Sequence, residues 1–197
     1  MTGTRGKTTV TYMIYEILKA ADRRAFLGGN VQGLALLPLL DEVRKDDTVI
    51  MELDSWKLQS FAELRISPHI AVFTTFFPDH LNYYKGDIKK YWEDKTVIFK
   101  NQKAGDVLIV SQQVVDFMIK QNYRALTQKF IIAPKIPSDW QIKLLGKHNR
   151  DNASLALAVA RVLGIEDEVS RSVIADFSGG PGRLEYLSKK QGVDYYN

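Results

Sequence analysis

From Lys7 to Ala21 the apolar residues Val10, Met13, Ile14, Ile17 and Leu18 recur at i, i+3, i+4, i+7 and i+8, the spacing of a helix that buries one stripe. Arg24 to Leu27 reads as a short strand ending in Gly28-Gly29, and the apolar run Thr48 to Leu53 as a buried strand. Asp54 or Ser55 can cap a helix reaching about Leu64. Beyond Pro68, Ile70 to Thr74 is a second buried strand, and Asp87 caps a helix to about Asn101. Asp106 to Val110 then reads as strand, Gln112 to Gln121 as helix and Lys129 to Ala133 as strand. Pro134 to Lys147 is irregular, with a strand candidate at Trp140 to Leu145. His148 to Leu163 is an Ala- and Leu-rich helix stopped by Gly164, Glu166 to Asp176 a second helix, and Gly179 to Gly182 a loop. Such alternation predicts an α/β layer fold, a mostly parallel central sheet flanked by helices in three layers. There is no internal repeat, and one domain spans 1–197.

The 197 residues are about one domain's worth. Apolar residues at 45% and charged ones at 25% argue against disorder. Absence of cysteine excludes a disulfide framework and thiolate metal sites. The apolar run Leu34 to Leu40 is short and holds Pro38, far from the ~20 residues of a membrane span. With a polar, Gly-rich start, the chain is expected to be cytoplasmic, without a membrane partner. A net charge of +4 permits an anionic ligand but is too mild to indicate nucleic acid, and none is expected.

The chemistry begins at the first residues. Gly3-Thr4-Arg5-Gly6-Lys7-Thr8 ends as a phosphate loop should, and Thr9 continues it. Glycines let backbone N–H groups close around phosphate oxygens, the helix start adds partial positive charge, the lysine neutralises phosphate, and the threonine hydroxyl reaches Mg²⁺. This predicts a P-loop, Rossmann-like version of the layered fold, although the Walker pattern's first glycine falls at Met1. Glu52 ends a buried strand, where α/β folds place ligands, and a carboxylate there can hold Mg²⁺ or simply reach solvent. His80, beside Asp79, can ligate metal or be structural. Lys95 can be a snorkelling surface lysine. Asn149 and Asn152 share one helix face and can cap it or bind a base or ribose, while Arg183 can clamp phosphate.

In order, TGTRGKTT, GGN (Gly28 to Asn30), ELDSWKLQ (Glu52 to Gln59), FPDHLN (Phe77 to Asn82), EDKTVIFKNQ (Glu93 to Gln102), GKHNRDNA (Gly146 to Ala153) and GPGRLE (Gly180 to Glu185) resemble the central ATP-binding domain of the Mur ligases. These are amino-acid ligases of peptidoglycan precursors. The ELDSWKLQ segment is most similar to that of the family's D-glutamate-adding members, and Tyr195-Tyr196-Asn197 to the segment leading into the family's C-terminal domain. The resemblance implies that Gly3, Thr4, Gly6, Lys7, Thr8 and Thr9 hold ATP phosphates, with Thr8 and Glu52 on a first Mg²⁺. It implies that Asn30 lines the active site, and that His80 and a carbamylated Lys95 support a second Mg²⁺. Asn149 and Asn152 would lie beside adenine, and Arg183 against ribose and phosphate. Lys7, Lys95 and His80 would carry the chemistry: ATP-dependent joining of D-glutamate to UDP-N-acetylmuramoyl-L-alanine through an acyl phosphate.

The resemblance also implies missing parts: the strand before the loop, the N-terminal UDP-binding domain and the C-terminal domain. Asp54 and Gly182 replace the serine and histidine usual in the family. The chain alone is therefore expected to be inactive and to self-associate through the gap left in its sheet. Two alternatives stay open: another family member or a relative such as folylpolyglutamate synthetase, and a non-catalytic nucleotide-binding module.

Overall fold

The computed structural model describes residues 1–31, 36–123, 129–183 and 186–196, with only the backbone of residue 186. Leu34 and Ala35 of the apolar run, Leu184 and Glu185 of the GPGRLE segment, and Asn197 lie outside the described residues. The helices are α1 (Lys7–Ala20), α2 (Leu39–Glu42), α3 (Ser55–Glu63), α4 (Ile88–Lys100), α5 (Gln112–Lys120), α6 (Lys147–Val162) and α7 (Asp167–Asp176). The strands are β1 (Ala25–Gly29), β2 (Thr48–Glu52), β3 (Ile70–Phe73), β4 (Val107–Val110), β5 (Lys129–Ile132), β6 (Tyr186–Lys190) and β7 (Val193–Tyr196). No helix among the described residues is long and apolar enough to cross a membrane.

β1 pairs with β2 in parallel, and β3, β4 and β5 form a second parallel group in that order. Met1 and Thr2 join the two. The Met1 nitrogen donates to Met51 O, and Leu53 N–H donates to Met1 O (2.8 Å). On the other side Thr2 N–H donates to Val72 O and Thr74 N–H to Thr2 O, both 2.9 Å. Thr2 lies parallel to Phe73, so all five strands run the same way. Two residues thus serve the carboxyl ends of β2 and β3. The other end of this seam borders an apolar cavity of about 110 Å³ lined by residues including Ile50, Phe61, Val72 and Val159.

Each sheet face buries its own cluster, because successive strand residues point to opposite sides. Val72 and Ile109 pack with Val10 and Ile14 of α1, Ala156 of α6 and Ile174 of α7. Ala71, Phe73, Leu108 and Val110 pack with Leu58 of α3, Ile98 of α4 and Val114 of α5. The result is the expected three-layer α/β fold. Helix starts follow local chemistry: the carboxylate of Asp54 accepts Lys57 N–H, that of Asp87 accepts Lys89 and Lys90 N–H, and Ser111 Oγ accepts Val114 N–H.

Besides the one-turn helix α2, which lies where no element is expected, two segments depart from the pattern reading. Trp140 to Leu145 is not a strand. The Arg150 guanidinium donates to the carbonyls of Ile136 (3.4 Å), Pro137 (2.9 Å) and Trp140 (3.4 Å), tying this stretch to α6 rather than to the sheet. Conversely, β6 and β7 form an antiparallel hairpin where no strand is expected. Gln191 and Gly192 turn it with φ of 49° and 81°, the positive values a tight hairpin requires.

Candidate active site

The phosphate-loop residues leave the seam and enter α1 at the carboxyl ends of the strands. Residues 74–77, which follow β3, bracket the loop. Thr4 N–H donates to Thr75 O (2.7 Å), Arg5 N–H to Thr75 Oγ1 (2.9 Å), and Thr74 Oγ1 to Arg5 O (2.6 Å). Phe77 N–H donates to Thr4 Oγ1 at 3.0 Å. The bracket is itself held by Gln113, whose amide accepts from Phe76 N–H (2.8 Å) and donates to Phe76 O (2.7 Å).

Gly3 (φ 149°) and Gly6 (φ 85°) are needed here. A Cβ on Gly3 would lie 2.0 Å from Thr74 Oγ1 and 2.9 Å from Thr75 N, and one on Gly6 would lie 2.4 Å from Asn152 Oδ1. Gly6 is the N-cap of α1, whose first-turn amides have no acceptor within the helix. The Lys7 ammonium donates to Gly3 O (3.1 Å) and Thr4 O (3.3 Å). Burial lowers the Lys7 pKa, and the nearby Glu52 carboxylate opposes that shift.

Above the loop opens a crevice of about 920 Å³. It brings together Thr4, Gly6, Lys7, Thr8, Thr9, Glu52, Asn149, Asn152 and Arg183. Glu52 is 4% exposed, and its Oε2 has no hydrogen-bond partner among the described residues. Buried carboxylate oxygens are seldom left so, and this one, in a crevice with the Thr8 hydroxyl, suits a hard cation. No group of three or more His, Cys, Asp or Glu among the described residues forms a metal cage of its own. Mg²⁺ is commonly held by one or two carboxylates together with phosphate oxygens and water.

The asparagines of α6 are linked to each other: Asn152 Nδ2 donates to Asn149 Oδ1 (2.9 Å) and Asn149 Nδ2 to Leu145 O (2.6 Å). Both amide functions of Asn149 are therefore engaged within the protein, and Asn152 presents its oxygen beside Gly6. Arg183 is exposed and donates to Gly182 O (3.1 Å).

Gly3, Asn30, His80 and Lys95 do not line the crevice. Gly3 lies beneath it, against Thr74. Asn30 is exposed at the end of β1, its N–H donating to Glu52 O (2.7 Å). His80 has φ 52° and packs its ring edge-on against Trp56 (4.7 Å) and Tyr91 (5.9 Å). Lys95 is no surface lysine: it is 2% exposed, and its Nζ lies 3.4 Å from Thr2 Oγ1 and 4.9 Å from the centre of the Tyr91 ring. Burial pulls its pKa down to about 7, with Lys7 adding to the fall and Asp54, Asp79 and Asp94 opposing it.

Sequence reading missed Gln113, Tyr91 and Lys135. Lys135 adds a cation to the crevice on the β5 side. Tyr91 joins the phosphate loop to Lys95: its hydroxyl lies 3.3 Å from Thr4 Oγ1 while its ring faces the lysine. Its position four residues before Lys95 on one helix was the available signal. Gln113 carried none, since its partner Phe76 is 37 residues away.

The Mur ligase middle domain matches residues 1–129. The chain belongs to the Mur ligase family. Relatives named UDP-N-acetylmuramoylalanine–D-glutamate ligase are similar over the whole chain: 32% identical over 215 residues in Streptococcus agalactiae serotype Ia and 33% over 218 in Leuconostoc citreum. The chain spans 47% of each, about half the length of these Mur ligases. Among solved structures, a UDP-N-acetylmuramoyl-L-alanyl-D-glutamate–2,6-diaminopimelate ligase superposes with a TM-score of 0.72 at 22% identity, covering 96% of this chain and 48% of that one. The MurF ligase of Thermotoga maritima, solved with ADP, gives 0.70 at 22% identity, covering 96% and 50%. At that identity the likeness is one of fold.

Proposed function

We propose that this chain is the ATP-binding part of a cytoplasmic ligase that adds D-glutamate to UDP-N-acetylmuramoyl-L-alanine in peptidoglycan precursor synthesis. The observation that carries the reading is a single crevice uniting Lys7, Thr8, Glu52, Asn152 and Arg183, in a chain similar throughout its length to D-glutamate ligases. In the reaction a carboxylate oxygen of the acceptor attacks the γ-phosphorus of ATP, and ADP leaves. The amine of D-glutamate then attacks the acyl carbon of the resulting acyl phosphate, loses a proton, and expels phosphate. Lys7, the first-turn amides of α1 and Arg183 hold the phosphates and reduce the repulsion between two anions. Asn152 and Asn149 stand on the adenine side. Glu52 and Thr8 would hold one Mg²⁺, and His80 with a carbamate formed on Lys95 would support a second; the metal would supply charge neutralisation at the phosphoryl oxygens.

Lys95 fits carbamylation, because a buried amine with a pKa near 7 has a substantial neutral fraction near pH 7, and the neutral form can attack CO₂. Carbamate formation followed by ¹³C NMR under ¹³CO₂ should rise as pH climbs through about 7, where an ordinary lysine would respond only near 10.5. A profile centred near the ordinary value would remove Lys95 from this role. On its own the chain is expected to release no phosphate from ATP with both substrates present, and to do so once the remaining portions of a ligase are supplied. Light scattering on the same sample should show more than a monomer, since the β2 and β3 edges at the seam offer a template for another strand. Full turnover by a monomer of this chain would refute both statements, and failure to bind ATP would refute the assignment itself.

A further inference from the structure

Lys57 has no part in the phosphate-loop machinery, yet its side chain is closely held. It sits in the first turn of α3, where its N–H donates to the Asp54 cap (2.8 Å). Its ammonium reaches across to β1 and donates to Gly29 O (2.9 Å) and Asn30 Oδ1 (2.8 Å). The backbone of that segment is fixed separately, by Asn30 N–H donating to Glu52 O (2.7 Å). Gly29, with φ 82°, allows the approach, since a Cβ there would lie 2.1 Å from Glu52 O. β2 therefore places the Asn30 backbone, and Lys57 decides how its side chain is turned.

A carboxamide has an accepting end and a donating end, and an ammonium can only donate. Lys57 must hold the oxygen, which leaves Asn30 its two N–H protons to offer. The lysine also puts a positive charge beside that amide. We infer that Lys57 is a positioning residue, one that makes Asn30 a hydrogen-bond donor for an anionic oxygen, carboxylate or phosphoryl, beside Glu52. This rests on the reading that the chain handles anionic substrates, and it adds the residue that sets the polarity of the exposed Asn30 amide at the end of β1, outside the lining of the crevice.

The test uses this chain with ¹⁵N-labelled asparagine and the probes sodium acetate and inorganic phosphate. In the wild type the Asn30 side-chain amide should be rigid. Lys57→Met removes the donor at similar length and should drop its order parameter below roughly 0.6, the flexible range. Lys57→Gln, which can still donate, should restore rigidity. An unchanged amide in a folded Lys57→Met protein would overturn the positioning role. Each probe is then titrated against the Asn30 Nδ2 protons. Binding should weaken roughly tenfold in Lys57→Met, the loss of one charge-assisted arrangement. A response to phosphate alone assigns a phosphoryl oxygen, and one to acetate alone a carboxylate. A response to neither overturns the ligand half of the inference. Should Lys57→Met fail to fold, Lys57→Ala is read in the same two ways, and a rigid Asn30 amide in that variant overturns the positioning role. Amide dynamics need neither ATP nor turnover, so this inference and the ligase reading fail separately.

Discussion

Gly3→Ala is expected to cost about 3–5 kcal/mol of folding stability, strain at a glycine-only backbone conformation plus overpacking. The new Cβ would stand 2.0 Å from Thr74 Oγ1, and Thr74 cannot simply turn away, because that hydroxyl donates to Arg5 O (2.6 Å). Thr75 N, at 2.9 Å, is backbone and has still less room. A domain of this kind has only about 5–15 kcal/mol of net stability, so the urea midpoint should fall steeply. Gly105→Ala separates the two contributions. Gly105 has φ 97° with nothing within 4 Å of the added carbon, so its loss should be about 1 kcal/mol, strain alone. Equal losses at the two positions would mean that the loop is not clamped as described.

Lys7→Met should lower affinity for Mg-ADP by about tenfold to a hundredfold, or ~1.5–3 kcal/mol for a charge-assisted contact. The side chain now rests on the carbonyls of Gly3 and Thr4, at the mouth of the loop, and a phosphate offers its ammonium a full negative charge instead. Calorimetric titration measures the difference directly. Lys135→Met is the comparison, because Lys135 lines the same crevice from the β5 side, away from the loop. A smaller loss there would place the phosphates at α1. Unchanged affinity in Lys7→Met would end the phosphate-loop assignment.

The helices with an apolar stripe, α1 and α6, and the strands with compact apolar runs, β2, β3 and β4, were legible because burial sets their periodicity. Legibility failed where something else decides conformation. Trp140 to Leu145 carries apolar residues, but the guanidinium of Arg150 takes the neighbouring carbonyls and keeps the stretch out of the sheet. In β7 every residue is exposed, so no apolar alternation marks it, and only the Gln191-Gly192 turn could have. The site divides in the same way. Loop and strand-end residues follow from motif spacing, since one segment carries them. The clamp of Gln113 on Phe76 and the grip of Lys57 on Asn30 join residues 37 and 27 positions apart and exist only once the chain is folded.

The seam formed by Met1 and Thr2 has a consequence for the order of events in folding. β1 with β2, and β3 with β4 and β5, can each assemble over modest stretches of chain. Joining them requires Met1 to meet Met51 and Thr2 to meet Thr74, across separations of 50 and 72 residues, and closing long loops is entropically slow. Those same two residues run directly into the phosphate loop. Completion of the sheet and creation of the anion-binding turn are therefore expected to coincide, because the same two residues carry both. A ligand that grips the loop holds the two half-sheets together, acting as a brake on unfolding at the place where the sheet is thinnest.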